Sequence, residues 1–132
     1  MHSTTFAAAI LSFAAITTQT CLKADEYASA DCNYITYAHS CFVTRDITMD
    51  DKTHSVYLAT QDDDEQKWQG YTGKTKNGGA CTGDFLGDMP VRGCNPLDYT
   101  FKKDGAWTRV RCVRRCNKKA DRKTSDGYWV CR

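Results

Sequence analysis

Two histidines follow residue 20: His39, in Tyr37-Ala38-His39-Ser40, and His54, in Thr53-His54-Ser55. An imidazole titrates near neutral pH and is the commonest general acid–base group, so a two-histidine device is the first chemistry to weigh. The sequence gives it no motif: there is no GxSxG, no HExxH and no P-loop. The carboxylates lie in charged runs, and no pair is set apart as glycoside hydrolysis requires. Each histidine therefore reads as a strand or surface residue. The chain is expected not to be an enzyme and to carry no cofactor.

The second chemistry is anion binding. Lys23 to Gln66 holds ten acidic and three basic residues, whereas Lys67 to Arg132 holds fifteen basic and six acidic, so the net charge of +2 conceals a dipolar sequence. Arg109 to Lys123 alone has eight basic residues and one Asp. Trp107 and Trp129 lie on either side of it. Trp107, Arg109, Arg111, Arg114, Arg115, Lys118 and Lys119 are the candidate binding residues for an anion or partner. The partner classes are a host protein or a polyanionic surface, whether cell-wall polysaccharide, anionic lipid or nucleic acid. No RNP-type motif accompanies the charge. The competing reading is a surface that balances the chain's own acidic half, Asp62 to Glu65 in particular.

The third chemistry belongs to Cys21, Cys32, Cys41, Cys81, Cys94, Cys112, Cys116 and Cys131. There is no CxxC, and no histidine follows the Cys112-x3-Cys116 pair, so neither a redox pair nor a metal site is indicated. An even count in a small hydrophilic chain predicts about four disulfides, with connectivity left open. Compartment agrees. Phe6 to Ile16 is an eleven-residue apolar run in a stretch, Met1 to Thr20, without charged side chains. As a helix it rises about 16 Å, half of a ~30 Å bilayer core, which suits a secretory signal and not a membrane span. The expected organisation is a signal peptide over 1–20 and a disulfide-rich domain over 21–132, secreted, monomeric and without an integral membrane segment. The mature chain is expected to begin between Thr18 and Cys21.

The elements that must position these residues are strands. Cys41, Val43, Ile47 and Met49 fall on one face at period two, Val56 to Leu58 centre another strand, and Trp68 and Tyr71 open a third. Asp25 to Asp31 reads as a short helix or polar leader. Gly83, Gly87 and the neighbourhoods of Pro90 and Pro96 read as loops. Asp104-Gly105 between two β-rich runs is the clearest hairpin signal. A two-residue loop there pairs Phe101 with Thr108 and Tyr99 with Val110 on a core face, and Lys102 with Trp107 and Asp98 with Arg111 on the other. Tyr128 to Cys131 makes a last strand. The fold class is all-β or β-rich α+β, a small single domain stapled by its disulfides.

Gly105-Ala106-Trp107-Thr108-Arg109-Val110-Arg111-Cys112, followed by Cys116, is similar to a Gly-x-Trp…Cys-x3-Cys stretch in some small secreted cysteine-rich proteins of filamentous fungi. That resemblance implies an extracellular, disulfide-stabilised binding protein of the effector type. Its alternative is an antimicrobial or membrane-active toxin of the killer-toxin kind, though such toxins usually carry more positive charge. Tyr37-Ala38-His39 also resembles the corner of a fungal guanyl-specific ribonuclease, which makes a weak or degenerate ribonuclease the third reading.

Overall fold

The computed structural model describes residues 23–40, 45–60, 66–117, 122–123, 125 and 129–130. The expected signal peptide, Cys21, Cys41, Cys131, Asp62 to Glu65, Lys118 and Lys119 lie outside them. The strands are β1 (Lys23–Tyr27), β2 (Ile35–Ser40), β3 (Asp46–Thr48), β4 (Ser55–Ala59), β5 (Gln66–Lys74), β6 (Cys81–Met89), β7 (Gly93–Pro96), β8 (Phe101–Lys103), β9 (Ala106–Thr108), β10 (Cys112–Asn117), β11 (Arg122–Lys123) and β12 (Trp129–Val130). No helix occurs among the described residues, and so none is long and apolar enough to cross a membrane. The protein is a small β domain, as its alternating apolar pattern predicts.

Two four-stranded antiparallel sheets, ordered β2-β1-β4-β7 and β3-β10-β5-β6, feed one core. Ala24, Val56 and Leu58 enter it from the first sheet, and Ile47, Trp68, Met89 and Val113 from the second. Trp68 spans the two: its indole is buried, and Nε1 donates to the Ala59 carbonyl at 3.0 Å, so a large ring enters the core with its one polar group satisfied. Cys32–Cys94 ties the chain ahead of β2 to β7, and Cys81–Cys112 ties β6 to β10. Cys116 is also disulfide-bonded, and no described cysteine is free.

Three local expectations change. Asp25 to Asp31 is neither helix nor polar leader at its start: Asp25 and Glu26 lie in β1, an inner strand, and each is 2% exposed. Burying a carboxylate is costly unless it is hydrogen-bonded. Thr53 Oγ1 donates to Glu26 Oε2 at 2.8 Å, and Thr53 is itself held by Asp50. Second, Gly83 and Gly87 do not end a strand. Both lie inside β6 at positive φ, 75° and 148°, beside shifts in the β5–β6 register, where glycine lets the strand bulge and continue. The Pro96 neighbourhood likewise holds β7.

The third change concerns the hairpin. Lys102 pairs with Trp107 and Phe101 with Thr108 as expected, but the ladder stops after three pairs. Leu97 to Tyr99 forms a turn, with the Tyr99 N–H donating to the Pro96 carbonyl at 3.2 Å and Thr100 Oγ1 to the same oxygen at 2.6 Å. Val110 therefore donates to the Leu97 carbonyl, at 2.8 Å, instead of pairing with Tyr99. Leu97 takes the core position, and Tyr99 is expelled to 61% exposure.

Candidate functional site

The site is built on β8 and β9. Asp104 and Gly105 adopt φ of 51° and 82°, the two left-handed positions of a tight hairpin turn. Phe101 docks this hairpin on the second sheet. Its ring lies over the cross-strand pair Gly70 and Gly87, where an added Cβ would meet it at 3.1 Å and 2.7 Å. Those two glycines make the bed that the hairpin rests on. Lys103 ion-pairs with Asp84 of β6 and adds a solvent-exposed tie at the same level.

Above that base, three side chains project together. Trp107 is 53% exposed. Lys102 Nζ stands 4.6 Å from the centroid of the Trp107 ring, and the Tyr99 ring meets Trp107 edge-on at 6.0 Å and 79°. A cation over an indole face and a T-shaped aromatic pair are both attractive geometries, each worth about 0.5–1.5 kcal/mol. They pre-order a flat, amphipathic surface with a positive charge at its edge. Local alternation already pairs Lys102 with Trp107. Tyr99 is the residue that sequence reasoning missed, because the turn that turns it outward depends on Pro96 and Leu97.

The arginines divide. Arg109 Nη1 donates to both carboxylate oxygens of Asp98 at 2.9 Å, while Nη2 donates to the carbonyls of Asp50, at 3.2 Å, and Thr53. This pairing replaces the expected Asp98–Arg111 one, because the turn brings Asp98 two residues out of hairpin register. Arg114 Nε and Nη2 form a fork on Asp46, at 2.7 and 2.9 Å, and Nη2 also reaches the Cys81 carbonyl at 3.2 Å. Its guanidinium lies 5.1 Å from the Tyr71 ring centroid. Arg111 is exposed, Arg115 is half-buried on β10, and Lys118 and Lys119 lie outside the described residues. Of the candidate set, Trp107 and Arg111 face solvent, while Arg109 and Arg114 are held by carboxylates of the same domain.

These contacts set the charges. Burial pushes the Asp46 carboxyl up, but the Arg114 hydrogen bonds, the Cys81 N–H and the arginine charge outweigh it and leave Asp46 below its ordinary value. Asp98 behaves the same way, with burial opposed by Arg109 and then by His54, whose Nδ1 is 3.5 Å from Oδ2. Arg109 commits both terminal nitrogens to protein acceptors, so a phosphate near His54 meets no free guanidinium fork from that residue. A separate cleft of about 390 Å³ is lined by Glu26, Tyr37, Asp46, Thr48 and Asp50 among others. Its carboxylates make it a poor anion site, and they have partners of their own. Among the described residues no group of three or more His, Cys, Asp or Glu could hold a metal ion. No family model, curated protein or solved structure matches this chain.

Proposed function

We propose that the protein is a secreted, effector-like binding protein that engages a polyanionic component of another organism through Trp107, Tyr99 and Lys102, with Arg111 adding charge. The observation that carries this reading is Trp107, 53% exposed and in contact with both a cation and a second ring. An indole left in water without neighbours would be only a cost. Ordered in this way, its face and edge can contact apolar parts of a ligand while Lys102 meets the charge. Secretion rests on the Phe6–Ile16 run and the even cysteine count, and the effector role on the fungal resemblance. A membrane-active toxin is the second reading, since Trp and Tyr side by side suit a headgroup boundary.

The test is retention on heparin and on anionic and neutral vesicles across a salt series, with the oxidised protein. Trp107→Ala should weaken heparin binding about 10-fold or more with little change in salt slope, as expected for a contact anchor. Lys102→Ser should lower the slope by about one charge. Stronger binding to anionic vesicles than to heparin, with leakage of their contents, moves the reading to the toxin. Failure of the wild type to bind heparin or vesicles at low salt refutes both.

A further inference from the structure

The two disulfides described at both ends sit in opposite surroundings. Cys81 and Cys112 are 7% and 0% exposed. The Cys81 backbone is also clamped, its N–H donating to Asp46 at 2.9 Å and its carbonyl accepting from Arg114 at 3.2 Å. Cys94, by contrast, is exposed on β7, an edge strand of the first sheet, while its neighbour Asn95 takes the buried side. Its partner Cys32 is half-buried in the turn between β1 and β2. An external thiolate can attack a disulfide only through a sulfur it can reach, so access alone separates the two bridges.

The Cys32 end adds two further features. Cys32 and Tyr34 are both at φ 58°, a left-handed conformation that costs a residue with a side chain and persists only where its surroundings impose it. The bridge to Cys94 is one such restraint. The Ser29–Asn33 hydrogen bonds and the Cys32 N–H bond to Ser55 Oγ, at 3.0 Å, are others. Opening the bridge therefore loosens this turn without removing a strand pairing. β1 keeps β2 and β4 beside it, β4 keeps β7, and neither cysteine belongs to the buried core. The second feature is Ser55 Oγ, 3.3 Å from Cys32 Sγ. Its hydroxyl, which hydrogen-bonds the Ser29 carbonyl at 2.5 Å, can turn to donate to a thiolate formed at Cys32.

We infer that Cys32–Cys94 is a thiol–disulfide exchange site that opens while the domain stays folded. An external thiolate attacks the exposed Cys94 Sγ and forms a mixed disulfide with it. The bond to Cys32 breaks, and its electron pair leaves on Cys32 Sγ, beside the Ser55 hydroxyl. Where the attacking molecule is a dithiol, its second thiol then displaces Cys94. The dithiol ends as a disulfide, and its two electrons and two protons end on Cys32 and Cys94. Reduced Cys94 has the Ala30 carbonyl, 3.8 Å from its sulfur, as an acceptor. The reverse exchange closes the bridge. The outcome is a reversible loosening of the turn from Ala28 to Tyr34, and it does not depend on what the hairpin binds.

The test treats the oxidised protein with reduced glutathione, quenches with an alkylating reagent and maps each cysteine by mass spectrometry. Cys32–Cys94 should open about 10-fold or more faster than Cys81–Cys112. Its rate should be unchanged by urea below the unfolding transition, whereas Cys81–Cys112 should accelerate, because it opens only on unfolding. The first adduct should carry glutathione on Cys94 and the alkyl group on Cys32. Protein opened at this bridge alone should keep the near-UV signal of buried Trp68. The Ala28 and Ser29 amides, which bond the Tyr34 and Asn33 carbonyls across the turn, should exchange faster. Simultaneous opening of the two bridges, equal acceleration of both by urea, or a first adduct on Cys32 overturns the inference. Loss of the Trp68 signal when Cys32–Cys94 alone has opened also overturns it, because the domain would then not stay folded.

Discussion

The tip of the β8–β9 hairpin and the segment that follows it into β10 draw on the same basic, aromatic stretch and put it to opposite uses. In that segment, Arg109 and Arg114 hold Asp98 and Asp46, and each also holds a backbone carbonyl. At the tip, Lys102 lies over the Trp107 ring, and Trp107 meets Tyr99. The difference shows that a run of positive charge is not one surface. A guanidinium can satisfy a carboxylate and a carbonyl at once, so the fold uses arginines to join segments. The ammonium of Lys102 stays at the rim, available to a ligand.

If that division holds, damage to the frame and damage to the tip should separate. The largest loss should come from reducing the disulfides, because Cys81–Cys112 joins the strands on either side of β5 and Cys112 lies two residues from Arg114. The two bridges fully within the described residues are worth roughly 4–8 kcal/mol together, comparable with a small domain's whole stability of about 5–15 kcal/mol. Excess reductant should therefore abolish the near-UV circular dichroism of the buried Trp68.

Next in size are the clamps. Arg114→Ala leaves Asp46 without its fork, and Arg109→Ala takes the guanidinium from Asp98 and from the Asp50 and Thr53 carbonyls; each should cost about 2–3 kcal/mol in denaturant titration. Arg111→Ala, at an exposed position, should stay within about 0.5 kcal/mol. Equal losses for all three arginines would erase the distinction between frame and surface.

Acid should act on the frame as well. Asp46 and Asp98 have folded-state values lowered from the ordinary 3.8, so they bind fewer protons folded than unfolded in that range. Their contribution is complete above the unfolded value and is lost as pH falls through the folded one. Melting temperature should fall below about pH 4, and Asp46→Asn should reduce that acid sensitivity. The tip should contribute little to stability: Tyr99→Ala removes one T-shaped contact and should cost no more than about 1 kcal/mol.

How much of this was legible in the sequence follows from how local each feature is. Alternation around Ile47, Met49, Val56 and Leu58, and the Asp104-Gly105 turn with its Lys102–Trp107 pair, depend on neighbours, and the structure agrees with them. The Arg114–Asp46 fork joins residues 68 apart, and no pattern in either segment announces it. Asp25 and Glu26 look like surface residues because their burial depends on β1 lying inside its sheet. Gly83 and Gly87 read as loops because glycine signals positive φ, and positive φ serves a bulge as well as a turn. Tyr99 fell on the wrong side because a hydrogen-bonded turn after Pro96 shifted the pairing by two residues.

The most direct measurement sets Trp107→Ala beside Arg114→Ala, scoring each for heparin affinity per folded molecule and for melting temperature. Trp107→Ala should lose about 10-fold or more in affinity while melting within a few degrees of the wild type, and Arg114→Ala should melt clearly lower yet bind within about 2-fold of it. Unchanged affinity in Trp107→Ala, or a larger loss in Arg114→Ala than in Trp107→Ala, would contradict it.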